Sequence, residues 1–482
     1  MKLVYDVADK PPIRKNLIYA FQQLLAIMAA TLLVPILVDG TGVYMSQPAA
    51  LCGAGFGTLF YIFIATRQKS PVFLGSSFAF IAPLSGAVAF GFLGIFLGAV
   101  FAGLVYVAIA LIIKKTGSAW VNRLLPPVVI GPVVALIGLS LCASAMTNLA
   151  NVSGDMNLSQ TLGLIQAKLA EVTSVDQISG AIGEITAAAT ATGYNLVAIL
   201  VGLIAFFITV FASVKGSKGM KLIPFIIGIL GAYVIALALT FIGRATGCDY
   251  IQLVDLSKFE NMQLFEVPRF TFLGMLGAYP EAANTIDGWA DVASILLLFA
   301  PVAFVTLAEH IADHKNLSSI IGRDLITDPG LDRTLLGDGV GSIVGSFFGG
   351  CPNTTYGESV GCVAITGNAS VSTIVIAAIY CIVLSFFHPF VCFVNSIPSC
   401  IVGGVCIALY GFIAVSGLKM LQPVDLNDHR NLFVVAAILV CGIGGLTLNF
   451  GKVQISAIAT ALIVGILVNV IFNKRAQTEK SE

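Results

Sequence analysis

Ionisable residues within apolar segments are rare, because each costs about 2.5–3.5 kcal/mol near a bilayer centre. In this chain they cluster. The run Pro301-Val-Ala-Phe-Val-Thr-Leu-Ala-Glu309-His310-Ile-Ala-Asp313-His314 closes one apolar stretch. Glu309 and Asp313 are four apart and share a helix face. Glu309 follows eight uncharged residues. For His310, Asp313 and His314 the plain reading is an ordinary charged helix end at the membrane surface. A second acid, Glu358, follows Gly357 in Cys351-Pro-Asn-Thr-Thr-Tyr-Gly-Glu-Ser-Val-Gly361. There it would open a half-helix whose N-terminal amides favour a carboxylate. Glu358 is therefore expected to stay ionised, whereas Glu309, with no such help in an apolar surround, is expected to take up a proton. Such a pair suits proton-coupled binding, with Asp313 and His310 as neighbouring candidates for handling the proton.

Phe78 and Phe80 open a matching half-helix in Ser70-Pro-Val-Phe-Leu-Gly-Ser-Ser-Phe-Ala-Phe80. An aromatic there could stack on a flat ring, or simply fill core or face lipid. Gly75 and Gly357 permit close backbone approach, and amides at each break can donate to ligand carbonyls. The phenol of Tyr356 needs a partner if buried. Carboxylate acceptors, backbone donors and a flat face match a small planar ring with alternating N–H and C=O groups, such as uracil. A sugar would need more polar side chains. An anion would need Arg or Lys, and none lies in a span.

These side chains need membrane elements to position them. The 482 residues are 57% hydrophobic and 10% charged, against about 25% charged in soluble proteins. Gly is abundant, with 49 residues, as where helices pack closely in lipid. Net charge is zero and no basic tract suggests nucleic acid. Cysteines such as Cys52, Cys142, Cys381, Cys406 and Cys441 lie in apolar segments and read as buried hydrophobes. No metal-ligand spacing appears. The first apolar run is too long for a signal-peptide core and reads as a spanning helix.

At about 20 apolar residues per span, the chain divides into spans near 17–38, 47–66, 90–113, 124–146, 195–214, 221–243, 292–312, 336–350, 371–394, 398–418, 430–447 and 454–473, with the broken stretches 70–89 and 351–369 as one span each. With fourteen spans and the N-terminus inside, 20 of the 25 basic residues fall on the cytoplasmic side. This positive-inside bias predicts that both termini are cytoplasmic. Two polar segments, 147–193 and 244–291, are expected outside.

Both broken stretches hold a proline, a short extended run, a glycine and a small-residue helix start, and both are third spans of a seven-span half. Gly131, Ala135, Leu136 and Gly138 also repeat in register as Gly404, Ala408, Leu409 and Gly411. An odd number of spans per repeat turns the second copy upside down, the inverted-repeat plan of many transporters. The expected fold is an all-α polytopic membrane protein of two inverted seven-span repeats, with two short antiparallel strands in the broken spans 3 and 10.

The runs Glu309-His-Ile-Ala-Asp-His, Arg323-Asp-Leu-Ile-Thr-Asp-Pro-Gly-Leu-Asp-Arg-Thr-Leu-Leu-Gly-Asp-Gly339 and Pro352-Asn-Thr-Thr-Tyr-Gly-Glu358 resemble the nucleobase–ascorbate transporter family over essentially the whole chain, most nearly its bacterial uracil permeases. Gly75-Ser-Ser-Phe-Ala-Phe80 and Ala30-Thr-Leu-Leu-Val-Pro35 fit as well. The resemblance implies a core domain (residues 1–113 and 292–394) and a gate domain (114–291 and 395–482), a homodimer, and co-transport of protons or sodium with no other cofactor. It implies that Glu309 and Glu358 bind the nucleobase, and that Gly357 and Phe78 donate amides. Ala30 would pack on the ring, and Tyr410 would approach from the opposite wall. Three positions depart from the family pattern: Ser359 where Asn is usual, Gly367 where Arg or Lys is common, and Asp313 where some uracil members carry His. Glu358 points to uracil, while Ser359 and Asp313 keep xanthine or another purine open. The reading is proton-coupled uracil uptake across a bacterial-type inner membrane. An anion channel of the same architecture would need basic residues at the half-helix starts, and an enzyme would need a nucleophile–base set or metal ligands that the chain does not display.

Overall fold

The computed structural model describes residues 3–39, 42–150, 196–260, 262–280, 285–450 and 453–479. Most are helical. Eight helices are long and apolar enough to cross a membrane among the described residues: Ile13–Val38, Gln47–Ala65, Gly91–Thr116, Pro127–Ala150, Leu196–Val214, Pro224–Thr246, Trp289–Ile321 and Ser399–Lys419. Four shorter apolar helices accompany them: Phe78–Val88, Val371–Ser385, His429–Ile443 and Ala457–Phe472. The chain is thus a multi-pass helical membrane protein. The expected external segment 147–193 lies from residue 151 onward outside the described residues.

The chain folds as two compact units. The first comprises Met1–Ser140, Gln263–Val391 and Phe412–Glu482. The second comprises Leu141–Met262 and Cys392–Gly411. In the second, the helices Leu196–Val214 and Pro224–Thr246 pack together, with the Cα of Gly228 pressed against Thr209.

Within the first unit, glycine sets how closely helices approach. A Cβ on Gly53 would fall 2.2 Å from the carbonyl oxygen of Gly345, and one on Gly103 would fall 2.5 Å from that of Gly339. The helices Gln47–Phe60, Gly91–Thr116 and Leu331–Phe347 are therefore in backbone contact, as small residues allow in lipid. This clamp surrounds the two broken stretches. Strand β1 (Leu74–Ser76) pairs antiparallel with strand β2 (Asn353–Thr355), with Leu74 opposite Thr355, Gly75 opposite Thr354 and Ser76 opposite Asn353. A 3₁₀ turn, Phe78–Phe80, and the helix Ile81–Val88 follow β1; the helix Gly357–Thr366 follows β2.

Three local features differ from expectation. The helix Trp289–Ile321 runs 33 residues through Pro301, well past the expected end near residue 312, and stops at Gly322 in the left-handed region (φ +69°). His310 and His314 therefore sit inside a packed helix, at 0% and 1% exposure, instead of at a solvated end. A second antiparallel pair, Leu448–Phe450 with Val453–Ile455, lies between the last two expected spans and overlaps only the start of the final one; the alternation in Leu-Asn-Phe and Val-Gln-Ile is its sequence signal. Cys142 is exposed and Cys441 half-buried, where both were expected to be buried.

The backbone contact at Gly53 yields a test. Gly53→Val is expected to lower stability by about 1–3 kcal/mol through overpacking, seen as a lower melting temperature in detergent. Gly361→Ala, which meets nothing within 4 Å inside a helix, is expected to be neutral or stabilising by up to about 1 kcal/mol.

Candidate substrate site

The β1–β2 pair is the floor of the site. Its backbone finds partners both across the pair and in neighbouring side chains, as buried peptide groups require. The Tyr356 amide donates to the Phe73 carbonyl (3.1 Å) and the Ser77 amide to the Pro352 carbonyl (3.1 Å). Thr58 accepts from the Leu74 amide (3.0 Å) and donates to its carbonyl (3.1 Å). Ser342 does the same for Asn353, at 2.9 and 2.8 Å.

Tyr356 shows why the first break needs glycine. A Cβ on Gly75 would lie 2.3 Å from the Tyr356 ring. The phenol donates to the Ser76 carbonyl (2.9 Å), and the Thr31 hydroxyl lies 3.3 Å from it. Tyr356 is buried, at 4% exposure, so its hydroxyl fastens the second break to the first. Ala30 is buried beside Thr31 on Ile13–Val38, a helix that packs on β1 and on the helix Gly357–Thr366.

Glu358 stands in the first turn of Gly357–Thr366, after Tyr356 in extended conformation (φ −97°, ψ 119°). Glu309 lies on Trp289–Ile321, which packs against that half-helix and against β2. Glu309 interacts electrostatically with Asp313, Glu358 and Asp338. Glu309, Asp313 and Glu358 are half-buried and Gly357 is exposed. A Cβ on Gly357 would meet only Asp313 Oδ1, at 3.6 Å. Asp313 Oδ2 accepts from the Thr355 hydroxyl (2.9 Å). The acids thus border open space at the second break. Phe78 is buried at the start of its 3₁₀ turn. Phe80 is core, stacked on Phe299 with centroids 5.8 Å apart. Tyr410 belongs to the second unit, where it is buried beside Cys406 on its own helix.

The structure adds contacts, and the buried acid Asp338, that sequence reasoning passed over. His310 Nδ1 lies 2.7 Å from Asp338 Oδ2, and its Nε2 lies 3.1 Å from the Thr334 hydroxyl. Asp338 is fully buried. Its signal was available: a lone acid in Gly-Asp-Gly within an apolar span is a functional candidate by its cost alone. Ser359 is fully buried; its hydroxyl accepts from Gln23 Nε2 and from the Phe73 amide (3.1 Å). Among the described residues, no group of three or more His, Cys, Asp or Glu is placed to hold a metal.

Two paired helix breaks, bordered by acids within a bundle of apolar helices, define a membrane transport protein. Residues 14–215 and 162–450 match the sequence profile of the Permease family. The chain is 38% identical over 484 residues to a uracil permease of Bacillus caldolyticus, covering 100% of this chain and 97% of that one. It is 35% identical to a uracil permease of Bacillus subtilis (100% and 98% covered) and 31% identical to one of Escherichia coli (97% and 93% covered). It belongs to this permease family, the nucleobase–ascorbate transporters. Among solved structures, its fold is similar to the transmembrane domain of the cyanobacterial bicarbonate transporter BicA, with TM-score 0.60 at 14% identity, covering 95% of this chain and 97% of that one. It is also similar to the murine anion transporter Slc26a9, with TM-score 0.61 at 13% identity, covering 97% and 69%.

Tyr356→Phe tests the fastening between the breaks. It removes the donor to the buried Ser76 carbonyl and is expected to lower stability by about 1–3 kcal/mol, read as a lower melting temperature of the purified protein.

Proposed function

We propose that the chain is a secondary transporter that takes up uracil with a proton across a bacterial-type inner membrane. The observation that carries this reading is the arrangement at the second break: Glu358 on a half-helix start, Glu309 on the helix packed against it, and open space at Gly357. The names of relatives 31–38% identical over nearly their full length support uracil as the solute. Glu309 and Glu358 accept the ring N–H groups, while the amides of Gly357 and Phe78 donate to its carbonyls. Phe78, Ala30 and Tyr356 line the site. Glu309 carries the coupled proton, assisted by Asp313 and His310.

In this reading the chain has fourteen spans in two inverted repeats, a core and a gate domain, both termini in the cytoplasm, and a homodimeric assembly. The core moves against the gate and carries the site from one side to the other. Sodium is the alternative coupling ion and xanthine the alternative solute. An anion is disfavoured although the fold resembles those of anion transporters, because neither broken stretch contains Lys or Arg.

Glu358→Gln is expected to abolish uracil uptake or redirect it to another base. Glu309→Gln is expected to leave uptake that no longer responds to the proton gradient. Labelled-uracil uptake at two pH values, with unlabelled uracil, xanthine and thymine as competitors, checks both. Uptake by both variants that matches the unaltered protein in rate and pH response would refute the assignment.

A further inference from the structure

A buried polar cluster outside the proposed ligand contacts sits at His314, one residue along Trp289–Ile321 from Asp313. Tyr61 begins a π-helical turn, Tyr61–Ala65, at the end of the helix that starts at Gln47. Single π turns within helices often mark functional sites. Its hydroxyl lies 2.9 Å from the Ser70 hydroxyl and 2.8 Å from His314 Nε2. Ser70 opens the first broken stretch, and His314 lies one residue beyond Asp313. Tyr61 and Ser70 are 0% exposed and His314 1%.

The donors can be assigned by elimination. His314 Nδ1 lies 2.9 Å from the carbonyl of His310. A carbonyl only accepts, so Nδ1 carries the proton. In the neutral ring Nε2 is then an acceptor, and the hydroxyls of Tyr61 (2.8 Å) and Ser70 (3.4 Å) both face it. Tyr61 donates to the Ser70 hydroxyl, which leaves the Ser70 proton for Nε2. Every member is satisfied with no net charge, the condition under which a buried network fixes one geometry. The Tyr61 ring also packs on the bare Cα of Gly337, where a Cβ would lie 2.7 Å from it, next to Asp338.

We infer that Tyr61 is a positioning residue for the substrate site: its phenol, bridging Ser70 and His314, fixes the first break against the helix that carries Glu309 and Asp313. The bridge joins two elements that must each present groups to one ligand, and its own members are buried. Its loss misplaces the Phe78 side of the site relative to the acids without removing any group that touches the ligand. The inference rests on the uracil-transport reading.

The test is labelled-uracil uptake at matched membrane abundance for the unaltered protein, Tyr61→Phe, His314→Gln and the double variant, with melting temperatures recorded in parallel. The expected result is a KM raised about tenfold or more by Tyr61→Phe, with Vmax per molecule nearly unchanged. The double variant should be no worse than His314→Gln alone, because coupled partners are not additive. An unchanged KM, or losses that add in the double variant, overturns the inference. Should Tyr61→Phe fail to accumulate, Ser70→Ala breaks the same bridge from its other end; it is expected to raise KM similarly, and an unchanged KM overturns the inference. Absence of saturable uracil uptake by the unaltered protein would refute the functional reading, and this inference with it.

Discussion

The antiparallel contact between Leu74–Ser76 and Asn353–Thr355 is the constraint on which the rest depends. In lipid, peptide groups that leave a helix find no water, and each unsatisfied one costs several kcal/mol. Two breaks in different helices resolve this by bonding to each other, so neither is viable in this form alone. The pairing also decides where the following helices begin. Gly357–Thr366 starts two residues after β2, and the Phe78 turn two residues after β1. Two helix N-termini are thereby delivered close to one strand pair.

The surrounding packing serves that contact. Thr58 and Ser342 each bond both backbone groups of one strand residue, acting as side-chain extensions of the sheet. Gly53, Gly57, Gly341 and Gly345 hold their helices near enough for those short hydroxyls to reach. The side-chain nitrogen Nδ2 of Asn353 sits 2.5 Å from where a Gly57 Cβ would stand. Close helix packing and strand satisfaction are thus one requirement, met by glycine on the helices and by Ser and Thr facing the strands.

The positions that depart from the family pattern have physical roles in this chain. Ser359 ties Gln23 on the first helix to the backbone of the first break, so the short hydroxyl acts as a clasp beneath both breaks. Gly367 is the left-handed C-cap of the half-helix (φ +67°), and its carbonyl accepts the Val4 amide (2.8 Å). A long basic side chain there would carry backbone strain. Asp313 is held by Thr355 of β2, so it braces the second break as well as bordering the open space.

Much was legible beforehand because the bilayer imposes strong, local rules. Runs of apolar residues gave the helices, and the scarcity of charge made Glu309 and Glu358 conspicuous. Proline and glycine marked both breaks, and the extended runs beside them are the strands observed. Less legible were Asp338, Ser359, Tyr61 and the true length of Trp289–Ile321. A helix end shows in sequence only through its cap, and the charges at 313–315 imitate one. The partner of a buried polar group is invisible locally: Tyr61 and His314 are 253 residues apart, and Gln23 and Ser359 are 336 apart. Sequence by itself determined which segments leave water and where they must break, because transfer free energy is a property of each residue. Only tertiary structure decided which hydroxyl, imidazole or carboxylate satisfies which, because in a dry interior every polar group must find a partner, and that choice belongs to packing across the whole chain.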